Sequence, residues 1–125
     1  MGDRALIQLV TRNEASPVLY LHWTGATVPS LLDGLFAQMS DRLHDISYSF
    51  ARLVGRACNL NGGDAESLSV GVWVNDTQND LNLSDSQGDA GVFRVHLDTR
   101  IIWYGGGYPP APANNTPWTW EPWHV

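Results

Sequence analysis

At 125 residues the chain is long enough for one domain with its own core and too short for a second. Hydrophobic residues make up 43% and charged residues 16%, which excludes a disordered tail and a coiled coil, and no apolar run approaches the ~20 residues of a membrane span. There is no lysine; seven arginines face thirteen acids for a formal charge of −6, so direct DNA or RNA binding is not expected, because that affinity comes from neutralising phosphates with Lys and Arg.

The imbalance is local. Between Arg56 and Arg94 there is no cation, whereas Asp64, Glu66, Asp76, Asp80, Asp85 and Asp89 all lie inside that interval. An acidic stretch of this kind keeps a small protein soluble, and it also steers toward basic surfaces on other proteins. The single cysteine, Cys58, excludes an internal disulfide and a cysteine zinc site. The opening Met1-Gly2-Asp3-Arg4-Ala5 lacks the basic-then-apolar layout of a secretory signal, so a cytoplasmic protein is expected.

In chain order, residues 5–10 and 18–23 read as two strands around a turn-forming segment that ends in Pro17. Pro29 suits the first turn of a helix, and Leu31, Leu32, Leu35, Phe36, Met39 and Leu43 then recur at helical spacing. Gly34 costs that helix about 1 kcal/mol relative to alanine and signals close packing. Asp45 reads as the N-cap of a second helix with a buried stripe of Ile46, Phe50, Leu53, Val54 and Ala57, stopped by Asn61-Gly62-Gly63. Residues 68–74 alternate strictly as a strand, 75–90 form a polar loop held by Leu81 and Leu83, and 91–97 and 100–104 form another strand pair.

The expected class is therefore α+β: a layer of about five mainly antiparallel strands in the order ββααβββ, with a two-helix hairpin on one face. Residues 1–107 make up this domain. Residues 108–125 form a Pro/Trp-rich tail, expected to dock on the sheet face the helices leave open, with a homodimer or partner arm as the alternative.

Three segments carry a resemblance. Met1-Gly2-Asp3-Arg4-Ala5-Leu6-Ile7, Tyr20-Leu21-His22-Trp23-Thr24-Gly25 and Asp85-Ser86-Gln87-Gly88-Asp89-Ala90-Gly91-Val92-Phe93 resemble the Gly-x-Arg-Ala start, Tyr-Leu-His-Trp-x-Gly strand end and Gly-Asp-x-Gly loop of a family of small uncharacterised phage, prophage and bacterial proteins. The likeness covers roughly residues 1–104, and Asp-Ala-Gly stands here where that family usually has Asp-Asn-Gly. It implies a mobile-element accessory role and brings no activity with it.

Candidate chemistry is sparse. The histidines His22, His44, His96 and His124 lack metal-ligand spacing, and the Asp85–Gly91 loop lacks the closing glutamate of an EF-hand, so neither metal nor cofactor is expected. No nucleophile-elbow or phosphate-loop motif occurs. The expected binding residues are the acids Asp76, Asp80, Asp85 and Asp89 and the tail indoles Trp118, Trp120 and Trp123. They suit a non-enzymatic binding protein of a phage, an anti-CRISPR-like inhibitor of a host nucleic-acid-handling defence complex with a basic surface. The alternative is a small enzyme or nucleotide-ligand binder built on His22, Trp23 and the Asp85–Asp89 loop, with His22, Asp89 and Arg94 as acid, base and anion clamp.

Overall fold

The computed structural model describes residues 3–60, 69–73, 81–113 and 117–123. Six strands, β1 (Ala5–Val10), β2 (Ala15–Leu21), β3 (Val70–Trp73), β4 (Gly91–His96), β5 (Ile101–Gly105) and β6 (Thr119–Pro122), form one mixed sheet in the order β3-β2-β1-β4-β5-β6. Two helices, α1 (Val28–Met39) and α2 (Ile46–Leu60), cover one face. The class is α+β, with one more strand than expected and with two parallel pairings, β1–β4 and β5–β6.

The central strand β1 is buried along its whole length. Ala5, Ile7 and Leu9 face the helices, while Leu6 belongs to a smaller apolar cluster on the opposite face. A strand flanked by β2 and β4 and covered on both faces needs apolar residues at successive positions, which explains the run ALIQLV. Its one polar side chain, Gln8, is 3% exposed and bonded at both ends: Nε2 donates to the Ser16 carbonyl at 2.9 Å and Oε1 accepts from the Leu81 N–H at 2.8 Å.

Strand β2 starts at Ala15, three residues before the expected start, so Pro17 lies inside it. This is tolerated because, among the described residues, β3 pairs with Val18–Leu21 and not with Pro17, and the register against β1 shifts between Gln8 and Val10. Leu31, Leu32 and Leu35 of α1 and Leu53 and Ala57 of α2 are fully buried over Leu19, Leu21 and Phe93, as the spacing of the apolar residues requires. Gly34 lets the helices approach: a side-chain carbon there would collide with the Arg56 guanidinium, whose Nη1 donates to Gln38. Asp45 immediately precedes α2 and its carbonyl accepts the Ser49 N–H.

The tail meets the sheet at its edge, and of its described residues Trp123 reaches the face the helices leave open. β6 runs parallel to β5, with Ile102 opposite Trp120. Trp118 is 5% exposed and stacks on Phe36 at 4.0 Å between centroids, on the helix side, beneath the Arg100 guanidinium at 5.6 Å. Trp120 packs against Phe93 and Tyr104 on that same side, whereas Trp123 reaches the opposite cluster. That opposite face is covered by Leu81 and Leu83 together with Trp123.

Trp118 therefore supports the main core, and removing its ring leaves a cavity beside Phe36. Trp118→Ala is expected to lower stability by about 3–5 kcal/mol in urea unfolding followed by circular dichroism. A midpoint equal to the parent's would show that the tail is dispensable to the core.

Candidate functional site

The polar groups gather where β2 ends and β1 and β4 begin. Residues 81–90 cross this end of the sheet, opposite the helices. A turn at Leu83–Asp85 is closed by a reciprocal cap: the Asn82 side chain accepts the Ser84 N–H at 3.1 Å, and Asp85 Oδ2 accepts the Asn82 N–H at 3.0 Å. Asp89 Oδ2 accepts from Arg4 Nε at 2.6 Å and from the Arg4 backbone N–H at 3.1 Å, while Arg4 Nη2 donates to the Gln87 carbonyl at 3.1 Å. Arg4 thus fastens the far end of the loop to the start of β1. Gly91 completes the joint with φ +98°, and a side chain there would strike the Gly105 carbonyl.

A groove of about 390 Å³ opens beside this loop, lined among the described residues by Leu6, Tyr20, Gly71, Val72, Trp73 and Gln87. Its floor is Gly71, which faces Tyr20 across the β2–β3 pair, and a side-chain carbon at Gly71 would touch nothing within 4 Å. Tyr20 and Trp73 are partly buried against the cluster of Leu6, Val18, Leu81 and Val92, which restrains their rings. The Tyr20 hydroxyl meets His22 Nδ1 at 2.6 Å, and His22 lies edge-on to Trp23 at 4.4 Å. Trp23 is 55% exposed.

The residues singled out from the sequence are dispersed. Asp89 is committed to Arg4 and Asp85 to the Asn82 cap. Asp76 and Asp80 lie outside the described residues. His22 and Asp89 lie at the same end of the sheet, but Arg94 pairs opposite Gln8, four residues further along β1 than Arg4. It lines a separate cleft of about 270 Å³ with His96 and the 10–15 turn. His22 follows Leu21 opposite Ala5, and His96 is opposite Val10, so at ~3.3 Å per residue these two histidines stand roughly 20 Å apart. The expected acid, base and clamp therefore do not converge. Among the described residues, no three of His, Cys, Asp and Glu gather in a metal-binding group. Trp118 is buried on its own domain and Trp120 half-buried beside it, so neither indole is presented as an open interface anchor.

Comparisons with family models, with curated proteins and with solved structures return no match. No helix among the described residues is long and apolar enough to cross a membrane. The site rests on its own geometry. Sequence reasoning missed Gly71, Tyr20, Trp73 and Arg4. The available signal was Gly71 itself, since a glycine inside an alternating strand often marks a place where something approaches the backbone closely.

The bond from Arg4 and the second one from its backbone N–H hold the Asp89 carboxyl below the usual carboxylate range, and the same pairing raises the Arg4 guanidinium. A carboxylate with a folded-state pKa below its unfolded value contributes stability above about pH 4 that fades as pH falls through the folded value. Asp89→Asn is therefore expected to melt below the parent at neutral pH and to converge with it in acid. A constant gap in thermal melts from pH 7 down to acid would show that the charge of Asp89 is not what stabilises the loop.

Proposed function

We propose that this is a non-enzymatic binding protein that engages a basic surface on another protein. The observation that carries this reading is the groove: an open, aromatic-walled slot whose two borders, β3 and the 81–90 loop, both fall in the interval of the sequence that has six acids and no cation. Aromatic rings held by packing, in a chain of net charge −6, suit a cationic partner. The groups a catalytic reading needs are spent elsewhere, Asp89 on Arg4 and Arg94 in a different cleft. The mobile-element setting comes from the sequence resemblance over residues 1–104. With it, the partner is a host nucleic-acid-handling defence complex, inhibited in the manner of anti-CRISPR proteins by occupying a basic surface meant for nucleic acid.

The second reading, a small-ligand or nucleotide site, draws on one observation. The short Tyr20–His22 hydrogen bond stands beside the groove and fixes the imidazole, leaving Nε2 to carry the proton if the phenol donates to Nδ1.

The charge argument is testable without disturbing the cap or the ion pair. Partner is captured from nuclease-treated host lysate, and its affinity is measured for the parent and for the Asp76→Asn, Asp80→Asn double variant across a salt series. Loss of two attractions of roughly 0.7 kcal/mol each gives about tenfold weaker binding and a flatter salt dependence. Equal affinity and equal salt dependence in the two proteins would remove the electrostatic reading.

A further inference from the structure

We propose that the groove over Gly71 is a receptor for a single arginine side chain of the basic partner. The inference rests on the basic-partner reading above and specifies the group that enters. The missing side chain at Gly71 leaves open space beside Trp73 on the same strand and Tyr20 on its neighbour, and both aromatic residues line the groove. A guanidinium is planar and weakly hydrated and stacks on aromatic faces, whereas the ammonium of lysine is a compact, strongly hydrated point charge. The slot favours the planar cation on shape as well as charge.

The polar wall points the same way. Gln87 lines the groove, and its backbone carbonyl already accepts from the Arg4 guanidinium at 3.1 Å, with its side-chain oxygen at 3.4 Å from Arg4 Nη1. Each of these oxygens has a second lone pair beyond the one that Arg4 uses, and Arg4 does not bring an unbalanced positive charge, because Asp89 pairs with it at 2.6 Å. The nearby loop adds the Asp85 carboxylate, and the chain as a whole carries −6. A nucleobase would fit the same slot by shape, but its phosphates would meet this field with the wrong sign.

The test uses the full chain and two blocked peptides of equal length and charge, one alternating Arg and Gly and the other Lys and Gly. Binding is followed by titration calorimetry and by the indole N–H resonance of Trp73. The expected result is a preference for the arginine peptide of about fivefold, with the Trp73 resonance moving. Gly71→Val fills the slot with a β-branched residue in open space, so it should keep the parent's melting temperature while the arginine preference disappears and weak binding equal to the lysine peptide's remains. If that variant fails to fold, Trp73→Leu, which removes one ring and keeps an apolar edge, is expected to lose the same preference.

Equal binding of the two peptides by the parent would overturn the arginine receptor and leave the acidic-surface reading standing. Binding of neither peptide would overturn both. Adenosine monophosphate that shifts the Trp73 resonance and is excluded by Gly71→Val, with no arginine preference, would replace the guanidinium by a nucleotide.

Discussion

The parallel pairing of β1 with β4 is the constraint from which the rest of the architecture follows. Two parallel strands cannot be joined by a tight turn, so the chain between Val10 and Gly91 must return to its starting end before β4 begins. It does so by pairing β2 and β3 outward from β1, with the two helices between them in sequence. The pairing also places β1 inside the sheet, where both faces need cover. The helices supply one cover. The other is the segment from Leu81 to Ala90, which returns across the opposite face to begin β4.

That second cover has little apolar area of its own, so it is held by a few directed bonds. Gln8 takes the Leu81 N–H at one end and Arg4 takes Asp89 at the other. Both anchors sit on or just before β1, so the loop is registered to the central strand. Other acids are used in the same way: Asp3 accepts the Ala26 N–H at 2.8 Å and Asp98 accepts the Arg12 N–H at 2.5 Å. In this chain, several carboxylates that look like a solvated surface charge are caps on turns and loop ends.

The groove is a by-product of the same cover. The loop and its apolar residues fill the middle of the face, over Leu6, Val18 and Val92, and leave the strip along β3 open, where Gly71 contributes no side chain. Tyr20 and Trp73 consequently pack against the cluster and also line the groove. Rings fixed in this way lose little freedom when a ligand arrives, which favours binding by a preformed slot.

The sequence alone determined the parts that depend on local periodicity. The three- and four-residue spacing of Leu31, Leu32, Leu35 and Phe36, the stripe of Ile46, Leu53 and Ala57, and the strands around Asp98-Thr99 could all be read because burial of one face imposes its period on the residues themselves. Gly34 could be read as a contact for a similar reason, since its cost to a helix asks for a compensation nearby. What the tertiary structure alone decided is which strand lies beside which. The run ALIQLV is compatible with any doubly covered strand, and nothing in it names β4 as a parallel neighbour. The strand at Thr119–Pro122 was hidden because Pro117 before it and Pro122 at its end read as a tail; at the sheet edge, with hydrogen bonds needed on one side only, they do no harm. A local backbone partner for Asp85 could be read from the loop's turn chemistry, and the Asn82 N–H is that partner. The ion pair of Asp89 was hidden, because Arg4 lies 85 residues away in the chain and only the return of the loop to β1 brings the two charges together.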